Sequence, residues 1–502
     1  MNILFIQYSG MQESIGVASL AAALEKSGHK TDLLLLSHCQ DLQKAIAESG
    51  AKLLAFSVNT GGHKEVMTLA RFLKERLSIP TIIGGPHATF FTEEIADQGG
   101  MDYICRGEGD EALVNLANAI QAGSDTSGIE NLWIRKPDGW IRNDLGRLVE
   151  DLDSRPMPKR EIYYKYNFLR DMPMKRFITG LGCPFSCSFC FNTQLKRDYA
   201  GKGKYLRRKS VDRVIDEIIY VKKISPLSRV HFSDDIFTLN IQWLSEFAEK
   251  YRARVNLPFS CGTRLDCTAE IVEILADAGC AAVQLGFESG SQRVRSECLR
   301  KKWTNEQAME LVNCFKKRGI ATMSMNMIAL PGETMEEIIE TIDWNARIGF
   351  KYVRCGFFTP YPKLDLTKKA MDMSLLENDF SLKDYDPNPL VPMFNKERRN
   401  ELINLVNLFY IAVKFRFLRN IILKYFIKMK PNKFFFFVGS LNVLQEYFYF
   451  SLRPVPAFQY FRNTLGSFLG FRWGAWPATR ILDEKGVNMT SDVEPCVNGH
   501  RE

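Results

Sequence analysis

Two stretches of this 502-residue chain alternate short apolar runs with amphipathic helical segments. In residues 1 to about 122 the apolar runs ILFIQY, TDLLLL, LLAFSV and TIIGG are rich in branched and aromatic residues, which is typical of strands. The rhythm returns from about residue 175, where two helices open with the capping boxes Thr304 to Gln307 and Thr334 to Glu337. Alternation of this kind predicts parallel sheets covered by helices.

The pattern predicts an α/β protein in four segments, because a chain of this length exceeds one ordinary core. We expect a Rossmann-like, doubly wound domain in residues 1–125 and a linker in residues 126–169, with a small hairpin around Asp138. Residues 170–375 contain six strand-like runs and predict a partial (β/α)6 barrel of the TIM type. The strand pattern then stops, so residues 376–502 predict a mostly helical accessory domain.

Three of the twelve cysteines lie within eight consecutive residues, in GLGCPFSCSFCFN. Cys183, Cys187 and Cys190 follow a predicted strand in a C-x3-C-x2-C arrangement. Three thiolates on one loop can hold an iron–sulfur cubane, and one iron then stays open because full ligation normally takes four cysteines. A zinc site or three incidental thiols are the alternatives, but zinc sites usually pair two C-x2-C elements or add histidines. The nearest histidine, His231, lies inside a strand pattern.

This motif, with Phe189 before the last cysteine, resembles the signature of radical S-adenosylmethionine (SAM) enzymes, and the resemblance extends over about residues 170–365. It implies a [4Fe–4S] cluster whose open iron binds SAM. It also implies a reductant such as flavodoxin or ferredoxin, whose electron cleaves SAM to a 5′-deoxyadenosyl radical.

The resemblance further implies SAM contacts at the carboxyl ends of four more strands, where barrel active sites form. The family often has Gly-Gly-Glu at the end of the second strand, whereas this chain has Ser-Asp-Asp. The implied contacts are Asp234 or Asp235 with the amino group, Arg264 with the methionine carboxylate, Glu288 and Ser289 with the ribose, and Pro331 and Gly332 beside the adenine.

The N-terminal domain resembles cobalamin-binding domains of the methionine-synthase type, which carry Asp-x-His-x-x-Gly and later a Gly-Gly pair. In the matching register Met11 and Glu13 stand at the positions of the aspartate and of the histidine that ligates cobalt. The resemblance implies a bound cobalamin without that histidine; a Rossmann-like domain without a ligand is the alternative. The residues expected around its nucleotide tail are Gly16, Ser57, Asn59, Gly84 and Gly85.

The net charge of +8 is concentrated near the C-terminus, where residues 396–472 hold thirteen basic and three acidic residues. Helical spacing of apolar side chains predicts a core-facing stripe, and the alternative is a surface for anionic lipid or a lipophilic substrate. No recognised motif favours nucleic acid. No apolar run reaches the roughly 18 residues that cross a bilayer, and no secretory signal is present, so we expect a cytoplasmic protein, with peripheral membrane contact as the alternative. The stripe comprises Leu402, Leu405, Phe409, Val413 and Phe417.

These features give a leading functional hypothesis with two alternatives. The leading hypothesis is cobalamin-dependent radical SAM methylation of an unactivated carbon or phosphorus centre in a small-molecule or lipophilic substrate. A radical rearrangement or cyclisation without methyl transfer would use the same cofactors. A non-catalytic iron–sulfur electron carrier is the third hypothesis, although a carrier needs no SAM-binding carboxylates.

Overall fold

The computed structural model describes residues 1–8, 12–378, 380 and 393–450. Within these ranges the chain forms two α/β units followed by helices, which confirms the predicted fold class. Met11, and with it the prediction about that position, lies outside the described residues.

The first unit is a seven-stranded sheet with helices on its faces. The strands are β1 (Asn2–Gln7), β2 (Lys30–Leu35), β3 (Leu53–Ser57), β4 (Thr81–Gly84), β5 (Tyr103–Cys105), β6 (Leu132–Lys136) and β7 (Gly139–Arg142). The helices are α1 (Ile15–Lys26), α2 (Leu42–Ser49), α3 (His63–Arg76), α4 (Pro86–Phe90), α5 (Thr92–Gln98) and α6 (Asp110–Ala122).

The strand order β2-β1-β3-β4-β5-β6-β7 is that of a doubly wound sheet. The first five strands run parallel, and their apolar runs are buried because helices cover both faces of the sheet. The hairpin around Asp138 is present as β6 and β7, which add two antiparallel strands to the same sheet. The carboxyl ends of all five parallel strands therefore lie at the same end of the sheet. At this end β3 leads into α3 and β4 leads into α4.

Two short helices, α7 (Glu161–Tyr164) and α8 (Asn167–Arg170), lead into the second unit. Its strands are β8 (Met174–Phe177), β9 (Gly180–Leu181), β10 (Arg207–Arg208), β11 (Arg229–Phe232), β12 (Phe259–Thr263), β13 (Cys280–Glu288), β14 (Ala321–Ile328) and β15 (Tyr352–Phe357). Its helices are α9 (Phe191–Asp198), α10 (Val211–Ile224), α11 (Ile241–Arg254), α12 (Ala269–Asp277), α13 (Asn305–Lys317), α14 (Met335–Ile348) and α15 (Asp365–Asp372).

Six of these strands form an open parallel sheet in the order β8-β11-β12-β13-β14-β15, and β9 pairs with β10 in a separate ribbon. The neighbours in the sheet follow chain order, as in a (β/α) barrel. Both predicted capping boxes are present, at the starts of α13 and α14. The six strand ends consequently lie along one rim, and the predicted site residues come from that rim.

Three helices complete the described chain: α16 (Lys396–Lys414), α17 (Arg416–Ile421) and α18 (Lys433–Phe450). The predicted apolar stripe on α16 is buried against the barrel core at Leu402, Leu405, Phe409 and Val413. The prediction is wrong for Phe417, which is 75% exposed because α16 ends at Lys414 and the chain changes direction before α17. Among the helices that the structure describes, none combines the length and apolar character needed to span a bilayer.

Candidate active site

The three clustered cysteines lie on one loop between β9 and α9. Gly182 enters this loop at φ +90°, and a Cβ there would lie 2.5 Å from the carbonyl oxygen of Tyr205, so only glycine fits. The Cys190 amide donates to the carbonyl oxygen of Cys187 at 3.2 Å, which folds the loop back on itself. Cys183 is buried, Cys187 and Cys190 are half-buried, and Cys183 interacts electrostatically with both of the other thiols, so the three lie near one another in a partly buried recess.

The electrostatics of this loop fit a metal cluster. Burial raises the pKa of the Cys183 and Cys190 thiols, and Asp235 and the neighbouring thiols act in the same direction. The side-chain amide nitrogen of Asn192 lies 3.7 Å from Cys190 Sγ and donates to it. Mutual repulsion among thiolates in a half-buried recess is relieved by a cation, and soft sulfur ligands favour iron–sulfur clusters. The donor set therefore suits a three-cysteine [4Fe–4S] cluster.

The two adjacent carboxylates after β11 have different surroundings. Asp234 is buried and accepts hydrogen bonds from the Thr179 hydroxyl at 2.6 Å and the Thr179 amide at 3.2 Å. Burial raises the pKa of Asp234, while Thr179 and the charge of Arg208 oppose the rise. Asp235 is exposed on the cysteine side, where it accepts from Asn192 at 2.9 Å. Asp235 is thus the carboxylate open to an ammonium ligand, and Asp234 supports the loop beneath it.

Arg264 follows β12 and lies beside the cysteine loop. Its guanidinium donates twice to the Asp266 carboxylate, at 2.8 and 2.6 Å, and stacks 3.5 Å from the centroid of the Phe185 ring. It also interacts with the thiol of Cys187. The side chain is 15% exposed, so Asp266 and Phe185 hold its orientation at the edge of the recess.

Glu288 ends β13 in the left-handed region, with φ +61°, and its carboxylate lies 3.0 Å from the ammonium of Lys301. Lys301 is buried, and its ammonium also lies 5.7 Å from the centroid of the Phe189 ring. Lys301 thus ties the cysteine motif to the fourth strand of the barrel. We did not predict this lysine, because it stands thirteen residues beyond the strand end without a local motif.

Ser289 is fully buried, and its hydroxyl accepts from the Ser291 amide at 3.2 Å. This side chain therefore shapes the turn after β13. The loop with Pro331 and Gly332 follows β14, and Arg293 donates to the Gly332 carbonyl oxygen at 2.9 Å. The structure thus brings the implied SAM residues to one rim, with Ser289 and Asp234 below its surface.

In the N-terminal unit, Gly84 and Gly85 follow β4 and lie against the turn after β3. Gly85 has φ +97°, and a Cβ there would lie 2.8 Å from the carbonyl oxygen of Val58 and 3.1 Å from Ser57 Oγ. Asn59 lies in the same turn, and Gly16 lies in the first turn of α1. The backbone of Gly85 packs closely against the turn after β3 at the carboxyl end of the sheet, where doubly wound sheets bind ligands, and we call these two turns the Gly85 cradle. The small side chains of Ser57, Gly84 and Gly85 leave backbone against which the tail of a cobalamin can lie.

Two buried histidines border this cradle, and we assigned neither a role from the sequence. The rings of His63 and His87 stack with centroids 4.1 Å apart, and His87 Nδ1 lies 3.0 Å from the Thr60 hydroxyl. Burial lowers the pKa of His63 to about 4 and that of His87 to about 3. Since the Gly61 amide donates to His63 Nδ1, the proton of the neutral His63 ring is on Nε2, which faces Glu94 at 3.7 Å. In the sequence, His87 stands two residues after Gly85.

The side chain of Glu13, at the register position of the cobalt-ligating histidine, is 6% exposed and lies between the two units. Its carboxylate lies 2.7 Å from Arg160 and 2.9 Å from Lys175, on β8 of the barrel. Arg160 also pairs with Glu217 at 3.2 Å. Glu13 therefore joins the domains, and its carboxylate forms ion pairs with the side chains of Arg160 and Lys175.

An aromatic contact places the two candidate cofactor regions side by side. Phe90 of α4, just after the Gly84–Gly85 turn, stacks on Phe191, the residue after Cys190, with centroids 4.0 Å apart. Tyr361, beyond β15, lies 5.3 Å from the same Phe191 ring. The rim of the barrel consequently faces the carboxyl edge of the N-terminal sheet.

Comparisons with known proteins agree with this arrangement. Residues 1–117 match the B12 binding domain family, and residues 177–344 match the radical SAM superfamily. The chain therefore belongs to the radical SAM proteins that carry a cobalamin-binding domain, and it is a radical SAM enzyme. Its cofactors are a [4Fe–4S] cluster, SAM and cobalamin.

Two relatives illustrate the range of this group. The chain is 28% identical over 342 residues to an uncharacterized methyltransferase of Pyrococcus horikoshii, covering 67% of this chain and 73% of that protein. It is 27% identical over 412 residues to the anaerobic magnesium-protoporphyrin IX monomethyl ester cyclase of Rubrivivax gelatinosus, covering 74% and 70%. Among solved structures, the radical SAM methyltransferase TsrM of Kitasatospora setae, with cobalamin and a [4Fe–4S] cluster bound, superposes with a TM-score of 0.67 at 16% identity, covering 94% of this chain and 99% of that one.

Proposed function

We propose that this enzyme is a cobalamin-dependent methyltransferase that acts on an unactivated carbon or phosphorus centre. The observation that carries the proposal is the Phe90–Phe191 contact, which sets the cobalamin cradle against the cysteine loop. When bound, the cluster and SAM supply a 5′-deoxyadenosyl radical, and cobalamin supplies the methyl group. Transfer to an unactivated centre needs the radical and the methyl group beside the same substrate. This arrangement of the domains provides that proximity.

In this proposal the residues of the chain bind SAM and orient it. Asp235 receives the SAM ammonium, because its carboxylate is exposed beside the cysteines. Arg264, oriented by Asp266 and Phe185, presents a cation to the methionine carboxylate. Glu288, fixed by Lys301, offers a carboxylate to the ribose hydroxyls. A flavodoxin or ferredoxin delivers the electron.

Relatives with methyltransferase names favour this function. The cytidylyl-2-hydroxyethylphosphonate methyltransferase of Streptomyces wedmorensis is 22% identical over 345 residues, covering 60% of this chain and 63% of that protein. Cyclisation without methyl transfer is the second candidate, since the Rubrivivax gelatinosus relative is named a cyclase at nearly the same identity as the first relative. The substrate in either case is a small or lipophilic molecule.

Two measurements test the proposal. Anaerobically reconstituted protein with dithionite and SAM should release 5′-deoxyadenosine, whereas Cys187→Ala should lose the cluster absorbance and the product together. Cys314→Ala is the matched control, because Cys314 is half-buried on α13 and packs against the barrel core, so it should retain both. Transfer of a labelled methyl group from SAM to the protein-bound corrinoid then separates methylation from cyclisation. A corrinoid that never acquires label would contradict the methyltransferase proposal.

A further inference from the structure

The exposed apolar side chains of this protein are concentrated in one C-terminal region. Ten large hydrophobic side chains are exposed in the described part of the chain, and eight of them lie in residues 415–441. Phe417 is 75% exposed and Phe434 is 67% exposed. We call this set the aromatic face; it consists of Phe415, Phe417, Ile421, Tyr425, Met429, Phe434, Phe437 and Leu441.

The segment that carries the aromatic face is firmly held on the barrel. Between the exposed side chains, Ile422, Ile427 and Phe435 are buried in the same core as the α16 stripe. The side-chain amide of Asn404 donates to the carbonyl oxygens of Met429 at 2.6 Å and Ile427 at 3.1 Å. The side chains of the aromatic face therefore project from a packed structure, and burying them needs a partner outside the described residues.

The charges around the aromatic face indicate what that partner is. Residues 415–441 contain six basic residues and no aspartate or glutamate. Arg419 turns inward and pairs with Asp343. The other five basic side chains are exposed beside the apolar ones: Arg416, Lys424, Lys428, Lys430 and Lys433.

We propose that the aromatic face docks this enzyme onto an anionic lipid bilayer. Aromatic and aliphatic side chains that enter the interface, with lysine and arginine around them, are the composition that binds anionic membranes peripherally. A second copy of the chain fits less well, because a twofold contact would bring two sets of exposed cations together without acidic residues in the segment to pair with them. The docking is peripheral, and it does not depend on the reaction assigned to the barrel.

Vesicle flotation with the full-length protein tests this inference. The protein should float with vesicles of phosphatidylcholine and phosphatidylglycerol but not with phosphatidylcholine alone. Raising the salt to about 1 M should weaken flotation several-fold, because the screening length falls to about 3 Å. The double variant Phe417→Ser/Phe434→Ser should reduce binding at least tenfold, since it removes two large exposed apolar groups.

The matched control is Leu206→Ser, which removes an apolar side chain that is 47% exposed but lies in the barrel unit, and it should float like wild type. The charge variant Lys424→Glu/Lys428→Glu provides a second test that leaves the apolar groups in place. Equal thermal unfolding midpoints would show that the variants fold. The inference would be overturned if wild type failed to float with anionic vesicles or floated equally well with neutral ones. It would also be overturned if the phenylalanine and lysine variants floated like wild type, or if wild type formed a dimer without vesicles that the double phenylalanine variant dissociates.

Discussion

The carboxylate of Glu13 lies 2.7 Å from a guanidinium nitrogen of Arg160, and both side chains are buried where the cobalamin-binding domain meets the barrel. Lys175 approaches the same carboxylate at 2.9 Å. Removing one partner from a buried ion pair leaves an uncompensated charge. Glu13→Gln should therefore lower the free energy of unfolding by about 3–5 kcal/mol, measured by urea denaturation.

The control for this prediction is an exposed ion pair of similar length. Lys165 and Asp32 lie 2.6 Å apart, but their side chains are 43% and 55% exposed. Asp32→Asn should change stability by less than about 1 kcal/mol. A Glu13→Gln variant as stable as Asp32→Asn would show that the buried pair does not join the domains.

Glu13 also shows where sequence reasoning stops. The register identified its position in the cobalamin motif, but its partners stand 147 and 162 residues away, and no local pattern predicts such contacts. Strands, capping boxes and the cysteine loop could be predicted because neighbouring residues determine them. Phe417 was predicted wrongly because a helical spacing does not show that the helix ends at Lys414.

The adjacent carboxylates Asp234 and Asp235 should respond differently to the same substitution. Asp235→Asn removes an exposed charge beside the cysteines, so the KM for SAM should rise about tenfold while the unfolding midpoint stays near wild type. Asp234→Asn weakens the buried contacts with Thr179 and should cost about 1–3 kcal/mol of stability. Steady-state kinetics and thermal denaturation of both variants check this. Equal effects on the KM for SAM would contradict the division of roles.

The Gly84–Gly85 turn offers a matched pair of substitutions in the cobalamin cradle. Gly85→Ala places a Cβ 2.8 Å from the Val58 carbonyl oxygen at φ +97°, so the turn must shift. We expect a stability loss of about 1–3 kcal/mol and weaker corrinoid binding. Gly84→Ala meets its nearest atom, on Cys105, at an ordinary 3.6 Å and should bind the corrinoid nearly as well as wild type. Titration with hydroxocobalamin, followed by absorbance, distinguishes the two variants. Equal affinities would show that the turn does not contribute to cobalamin binding.

The buried His63–His87 pair makes stability depend on pH in a defined direction. Burial lowers the pKa of His63 to about 4 and that of His87 to about 3, so the folded protein keeps both rings neutral while the unfolded chain protonates them below about pH 6.5. The unfolded state then binds more protons, so acidification lowers the free energy of unfolding. Most ordinary carboxylates remain charged between pH 7.5 and pH 5. Over this range each histidine should lower the free energy of unfolding by about 2 kcal/mol.

His231, buried in the barrel with its pKa lowered to about 3, adds a similar dependence there. His87→Gln should remove the contribution of His87 to this pH dependence, so its free energy of unfolding should fall less than that of wild type on acidification. At pH 7.5 the variant should be somewhat less stable than wild type, because it loses the ring stacking with His63. Urea denaturation at the two pH values measures this difference. An unchanged pH dependence in His87→Gln would mean that the ring is protonated in the folded protein, which its burial beside His63 makes unfavourable.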